Sequence, residues 1–403
     1  PHFEKMLYDN ALLLRVYAHL ARRGDELVLR VTTETVDFLD RHLWTGTGYA
    51  SSLDADTEGV EGLTYVWRPD ELTQILGPDD GAWAADLFVV TESGTFEHGN
   101  STLQLPRDPD DPLRFASVRA RLSAARERRP QPDRDDKVVT AWNAMAVTAL
   151  AEGGAALGRA DWVERAAECA DALLSVHLVD GDLRRSSLDG RAAVPHGGLD
   201  DYAALATALL TLHEVTGGIE WRTAALGLVD RMIAVFADPE AEGAWYDAHD
   251  DDLLLRPRDP VDGATPSGAS LAAEALLLAS VLADDIDDAA RYEALLAATL
   301  GRSGLILAKV PRSAGYWLST AFASLAGPLQ VAVAETADSD GALVAAIRKG
   351  APGGVVVVSG PRDTVPLLAD RGPVGGRDAA YVCRGKVCDL PVVEAAVALL
   401  HLG

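Results

Sequence analysis

Cysteine is scarce in this chain: Cys169, Cys383 and Cys388 are the only three in 403 residues. That excludes a disulfide framework, and no C-x-x-C pair is present for thioredoxin-type exchange. The spacing Cys383-x4-Cys388 admits one disulfide or half a zinc site. With no second Cys or His pair nearby, no metal site is expected. Basic residues are also few, 36 against 61 acidic ones, for a formal charge of -25. Such a surface repels a phosphate backbone, so nucleic acid is not an expected partner. No apolar run approaches the roughly 20 residues that cross a bilayer, and the N-terminus lacks the basic and apolar regions of a signal peptide. A soluble, cytoplasmic protein with no membrane partner is the expectation. The stretch "GPRDTVPLL" has too few glycines for a phosphate loop, so no nucleotide or other cofactor is expected.

What the chain has in quantity is hydrophobic content, 48%, enough for a large core. Four segments start with polar residues and then run apolar on almost every face: from Tyr8, Thr140, Leu199 and Pro266. Helices apolar all round belong inside a structure. Each is followed by an amphipathic partner, around 27–43, 161–178, 220–237 and 288–300. Trp162, Ala166, Cys169, Leu173 and Val176 mark the buried stripe of one such outer helix. Asn143, Asp201 and Ser267 lie 58 and 66 residues apart, as in a repeated αα-hairpin. An open row of hairpins would leave its inner helices wet. These carry almost no charge after the first turn, so a closed (α/α) toroid is expected, with the polar N-terminal turns gathered at one mouth.

The expected organisation is a toroid over 1–328 with inserted loops at 43–112. A small α/β insertion follows over 329–391, and a helix at 392–403 returns to the toroid. Residues 180–199 and 243–267 each read as a β-hairpin loop. Long connections with embedded aromatics such as Trp245 and Tyr246 are more often functional than disordered.

The opening "PHFEKMLYDN" holds more polar groups than a helix start requires, since one capping oxygen from Asp9 or Asn10 would suffice. His2, Lys5 and Tyr8 are therefore expected to line the mouth with them. Asp200 and Asp201 repeat the arrangement, with Tyr202 next and His196 just upstream. Trp142, Asn143 and Ser267 occupy the matching positions of other inner helices, and Tyr246 adds a further aromatic face. In "DADTEG", Asp54, Asp56 and Glu58 precede Gly59 as in the first half of a calcium loop, but Tyr65 stands at the twelfth position, where a bidentate Glu is required. Asp54 and Asp56 are expected at the cavity mouth instead.

Five stretches, "PHFEKMLYDNA", "SSLDADTEGVEGLTYVW", "DDKVVTAWN", "LDDYAAL" and "RPRDPVDGATPSG", together with "YVCRGKVCDLP", resemble the thioredoxin-domain-containing family that includes bacterial YyaL and the spermatogenesis-associated proteins. The resemblance spans nearly the whole chain. It implies a helical part similar to six-hairpin glycosidases and N-acylglucosamine 2-epimerases: an (α/α)6 toroid with a sugar-sized cavity. It also implies a thioredoxin-like domain as a partner that is missing from this chain. A fold of this kind does not name a reaction.

Two chemistries fit these residues. Glycoside hydrolysis needs two carboxyl groups about the scissile bond, and Asp9, Asp54, Asp56, Asp200 and Asp201 offer pairs. Epimerisation needs a base and an acid titrating near neutrality, for which His2 or His196 is apt. The expected acid/base residues are Asp9, Asp201 and His196, acting on a sugar-like small molecule. The competing reading is a non-catalytic platform that docks the thioredoxin-like domain.

Overall fold

A computed structural model of the chain describes residues 2–249, 253–385 and 387–402. In chain order, α1 (Leu7–Ala21) and α2 (Glu26–Phe38) form the first hairpin. Helices α3 (Pro69–Leu76), α4 (Pro78–Leu87) and α5 (Pro112–Arg126) follow, and then three more hairpins: α6 (Thr140–Leu157) with α7 (Ala160–His177), α8 (Leu199–Thr216) with α9 (Ile219–Phe236), and α10 (Gly268–Leu282) with α11 (Ile286–Lys309). The last helices are α12 (Gly315–Leu325), α13 (Ala342–Gly350) and α14 (Ala395–Leu402). The chain divides into two compact units, one of residues 1–6 with 52–135 and the other of 7–51 with 136–403.

In the larger unit α1, α6, α8, α10 and α12 pack side by side, and α2, α7, α9 and α11 each back the inner helix before them. The all-round apolar reading holds most fully for α6 and α8, which bury thirteen and fourteen residues. Outer α7 buries only the stripe of Trp162, Ala166, Cys169, Ala170, Leu173 and His177. Gly158 and Gly217, both left-handed, end α6 and α8 and turn the chain back into the outer helices. The fold is mainly helical and of the (α/α) toroid class. On α1 one apolar face stays open, with Leu13, Val16 and Leu20 exposed by 48%, 53% and 42%.

One cluster of charge sits among the inner helices. Arg15 of α1 makes a two-pronged bond to Glu152 of α6, Nε to Oε2 at 2.9 Å and Nη2 to Oε1 at 2.7 Å. The same guanidinium reaches Glu274 of α10 at 2.8 Å and the Tyr316 hydroxyl of α12 at 3.0 Å. The first and last members of the row are thus tied directly.

Four strands between 329 and 388 make a mixed sheet, ordered Val356–Gly360, Leu329–Ala334, Ala379–Arg384, Val387–Cys388. The first pair is parallel, with α13 as its crossover, and the others are antiparallel. Leu329–Ala334 is buried at every residue, as a central strand covered on both faces must be. The sheet packs against α8 through Glu214, whose carboxylate accepts the Val357 N–H at 3.0 Å while its carbonyl accepts from Arg348. Burial, with the Glu152 charge added, pushes the Glu214 pKa up to about 8. The folded state therefore holds this proton more tightly than the unfolded one, and its contribution to stability declines as pH rises from about 4.5 to about 8. Glu214→Gln should flatten that part of the melting-temperature profile and raise the melting point at pH 9, because an amide still accepts the Val357 bond.

The smaller unit differs from the loops expected at 43–112. It contains α3, α4 and α5, and its core, including Trp67, Leu72, Leu87, Phe88 and Phe115, extends it to residue 135. Proline opens each of the three helices, where a missing N–H costs nothing. Gly81 lets α4 pass close to α3, since a Cβ there would lie 2.7 Å from Thr73 Cα. Strands Lys5–Met6, Ser52–Leu53 and Arg134–Asp135 form its antiparallel sheet.

The 180–199 loop carries two hairpins, with Leu178–Val179 on Asp182–Leu183 and Ser186–Leu188 on Arg191–Ala192. The 243–267 loop forms no strand among the described residues and keeps only a bridge from Trp245 to Ala237. Pro257, Pro260 and Pro266 in this stretch have no N–H to give a ladder. No helix of the described residues is long and apolar enough to cross a membrane.

Candidate functional site

The N-terminal turns of the inner helices do meet. Tyr8 and Trp142 stack edge to face with ring centroids 4.9 Å apart. Asp201 joins α6 to α8: its Oδ1 accepts Ala141 N–H at 2.9 Å, and its Oδ2 accepts Gly198 N–H and Arg185 Nη1, each at 2.8 Å. A helix start leaves N–H groups without intrahelical partners, and one buried carboxylate here serves two such starts. Burial and the adjacent Asp200 charge push its pKa up to about 7, against the pull of Arg185 and the Gly198 N–H.

Several residues expected to line a cavity are instead occupied in holding the frame. Asp201, expected as an acid/base residue, is fully buried with three donors on its two oxygens, bonds that tie the starts of α6 and α8 together. Asn143 is fully buried and clamps Tyr49, accepting its N–H at 2.6 Å and donating to its carbonyl at 3.0 Å. Tyr202 accepts the Leu183 N–H at 2.8 Å and packs on Phe236. Ser267 caps α10 through Ser270 N–H and donates to Pro260 O. In each case the polar group is there because a helix end or loop needs a partner. Asp201→Asn should therefore lower stability by about 1–3 kcal/mol, since an amide has one oxygen where the carboxylate has two, and its NH2 must then face a donor, either the Ala141 N–H or the Gly198 and Arg185 pair; a denaturant titration reads this directly.

The remaining expected residues are more open. Asp200 takes Arg185 Nη1 at 2.6 Å on both oxygens. His196 is exposed and its ring stacks on His249, 5.6 Å between centroids. Tyr246 lies between the guanidinium groups of Arg256 and Arg258, at 4.0 and 3.8 Å. Asp9 is exposed and Asn10 half-buried in the first turn of α1. In the smaller unit Lys5 Nζ sits 3.3 Å from the Tyr65 ring centroid, and burial beside Arg126 lowers its pKa to about 8. His2 pairs with Glu4 at 3.7 Å. Asp54 and Asp56 are exposed, with Asp54 Oδ1 accepting Asp56 N–H at 3.2 Å. Among the described residues no three metal-ligating side chains come together.

The space enclosed among α1, α6, α8, α10 and α12 at Arg15 is small. Leu12, Met145, Leu271 and Tyr316 crowd the space beneath Arg15 and leave about 10 Å³, on the scale of one water molecule. The larger cavity, about 270 Å³, lies between the 243–260 loop, the start of α10, the later turns of α11 and the start of α12. Two tryptophans wall it, each with its indole N–H satisfied: Trp245 on Thr299 Oγ1 at 3.0 Å and Trp317 on Pro260 O at 2.8 Å. Gly243 brings the loop in against α11, where φ is +74° and a Cβ would stand 2.4 Å from Ala298 C. Asp247 and Asp259 line the same space, joined by Asp259 N–H to Asp247 Oδ2 at 2.6 Å. Arg258 and Arg302 complete its charged edge. Burial, then the charges of Asp259 and Asp200, raises the Asp247 pKa. Asp247 carbonyl also accepts the Leu199 N–H, placing this loop directly on the start of α8 beside Asp200.

Of these pocket residues only Trp245 is named in the sequence reading, as an aromatic embedded in the 243–267 loop. The loop that carries Trp245, Asp247 and Asp259 was recognisable by its aromatics and length. Arg302 and Trp317 had no signal, being two ordinary helical positions brought in by folding.

No family model matches the chain. Spermatogenesis-associated protein 20 of Mus musculus is 32% identical over 330 residues, covering 69% of this chain and 41% of the relative. The chain belongs to the family of the spermatogenesis-associated proteins. The Homo sapiens member is 31% identical over 330 residues, covering 69% of this chain and 42% of its own length. The uncharacterized protein B0495.5 of Caenorhabditis elegans is 27% identical over 451 residues, covering 97% of this chain and 60% of its own length. The chain thus spans about two fifths of the mammalian relatives, 41% for the mouse protein. Among solved structures, a sugar epimerase from a ruminal bacterium aligns with a TM-score of 0.48 at 11% identity, over 74% of this chain and 60% of that one. A GH76 alpha-mannanase from Bacteroides thetaiotaomicron aligns with 0.47 at 11% identity, over 99% and 85%.

Proposed function

We propose that this chain binds a carbohydrate in the pocket between Trp245 and Trp317 and performs acid/base chemistry on it with Asp247 and Asp259. The carrying observation is that both aspartates line one cavity of about 270 Å³ walled by two tryptophans, with the Asp259 backbone N–H on Asp247 Oδ2. That volume falls near the small end of ligand pockets and suits one sugar ring. Indole faces match the apolar faces of a pyranose, and the carboxylates and guanidinium groups match its hydroxyls.

The two acids differ in a way that divides the work. Asp247, with its raised pKa, keeps a proton to higher pH than an ordinary aspartic acid and serves as the donor to a glycosidic oxygen. Asp259, at the solvent side of the pair, serves as the carboxylate that receives a proton from water or stabilises developing positive charge. This favours hydrolysis over epimerisation, because the stacked His196 and His249 do not line the pocket. The proposed site moves from Asp9, Asp201 and His196 to the loop that follows α9.

A panel of chromogenic aryl glycosides tests the reaction, with thermal shift as the parallel readout of binding. A matched sugar at 100 times its Kd should stabilise the protein by about 2.7 kcal/mol. Binding without release of the aryl group would leave a carbohydrate-binding platform; no response from either readout would remove the proposal.

A further inference from the structure

The disulfide between Cys383 and Cys388 joins residues paired across neighbouring antiparallel strands, and its two sulfurs have unlike surroundings. Cys383 is 1% exposed, while Cys388 lies open on the edge strand of the sheet. A cation stands at the open one: Arg371 Nη2 is 3.1 Å from Cys388 Sγ. That guanidinium is held in place, since Nη1 donates to Leu367 O and the group lies 6.0 Å from the Tyr381 ring centroid. Tyr381 is itself fixed by its hydroxyl donating to Gly372 O at 2.8 Å. The neighbouring acid, Asp389, is engaged by His401 at 3.3 Å. The third cysteine, Cys169, is buried in the helical unit, and burial pushes its thiol up to about 12. Thiol chemistry in this chain therefore falls on the Cys383–Cys388 pair.

We propose that this pair is a dithiol–disulfide exchange site for small disulfides and thiols of the glutathione type, with Cys388 as the attacking sulfur, Cys383 as the resolving one and Arg371 as a positioning residue. The division follows from the chemistry of exchange. The thiolate is the nucleophile, and an adjacent guanidinium favours it. An attacking sulfur must also be reached from solvent, whereas a resolving one need only reach its partner.

Starting from the reduced pair, the Cys388 thiolate attacks one sulfur of an external disulfide RSSR. The reagent's S–S bond breaks, RS⁻ leaves and a Cys388–S–SR bond forms. Cys383 then loses its proton and attacks Cys388 Sγ, closing the Cys383–Cys388 bond and releasing the second RS⁻. The protein dithiol gives up two electrons and two protons, and RSSR becomes two thiols. The reverse sequence, in which RS⁻ attacks the exposed Cys388 sulfur, reduces the pair. The spacing of four intervening residues departs from C-x-x-C, but adjacent strands supply the closeness that a helix start supplies there.

The test uses the full chain, with glutathione disulfide as the probe and intact mass as the readout. Cys383→Ser should acquire one glutathione, on Cys388, with a rate that titrates well below the ordinary thiol value of about 8.5. Adding Arg371→Gln should move that titration up by about one unit and slow the reaction at pH 7 about tenfold, while Arg371→Lys retains most of the rate. Cys388→Ser should acquire none. In the wild type, limiting reductant followed by iodoacetamide should label Cys388 before Cys383, which needs no variant to fold. Equal labelling of both cysteines, an ordinary Cys388 titration indifferent to Arg371, or a disulfide unreduced across glutathione buffers would each overturn the proposal.

Discussion

Asp247→Asn is expected to lower turnover of the responding glycoside by about 100-fold or more while leaving the melting temperature nearly unchanged. The amide keeps the size of the side chain and its oxygen still accepts the Asp259 N–H, so the loop stays in place. What disappears is the proton. In the wild type, activity should fall as pH rises through the raised Asp247 pKa, because the deprotonated form has nothing to donate. The variant should lack that limb. Asp259→Asn should also lower turnover, because the second carboxylate of the pocket is gone. Steady-state rates from pH 4 to 9 on the three proteins separate these effects, and a fall in melting temperature as large as the fall in rate would assign Asp247 to the frame instead.

The largest stability effect is expected at Arg15. Its guanidinium is shared by Glu152, Glu274 and Tyr316 among the inner helices, with Arg15 and Glu152 side chains each 22% exposed and Glu274 15%. Arg15→Met should cost about 3–5 kcal/mol, most of it the burden of two carboxylates that lose the guanidinium, with only His19 left beside Glu152. A triple variant that also carries Glu152→Gln and Glu274→Gln should recover much of the loss, because no buried charge then remains. The wild-type pair has a pH signature as well. Burial alone would raise the Glu152 pKa, but Arg15 and His19 outweigh it and hold the carboxyl well below the usual range. This contribution is complete above the ordinary value of about 4.5 and is lost as pH falls below it. Chemical denaturation at pH 7 and pH 3 should find the Arg15→Met penalty smaller in acid.

The hairpins were legible because their signals are periodic. Thr140–Leu157 and Leu199–Thr216 are apolar on every face and end in glycine, which suffices to place them inside a helical layer. Outer α11 was expected to stop near Leu300 and instead continues to Lys309, because Gly301 and Gly304 weaken a helix without stopping it when one face is packed. The site was less legible because capping and catalysis call on the same residue types. Asp201 next to Asp200 at a helix start reads equally well as a cap or as an acid/base pair, and the Ala141, Gly198 and Arg185 bonds that occupy it are invisible in the sequence. The size of the space at Arg15 could not be judged from sequence either, since it depends on Leu12, Met145, Leu271 and Tyr316 arriving from four helices. The pocket has the converse difficulty. Its tryptophans are 72 positions apart, and nothing local to Trp317 marks it as facing Trp245.

The pocket between the two tryptophans is the part of the account most directly open to measurement. Ala244 lines it and is partly exposed, so Ala244→Trp should fill the space while leaving the helical frame folded. The decisive measurement is a thermal-shift screen of mono- and disaccharides run side by side on the wild type and on Ala244→Trp. The account predicts at least one sugar that stabilises the wild type in a saturable way and leaves Ala244→Trp unmoved. A sugar that stabilises both proteins equally would place the binding site elsewhere and contradict it.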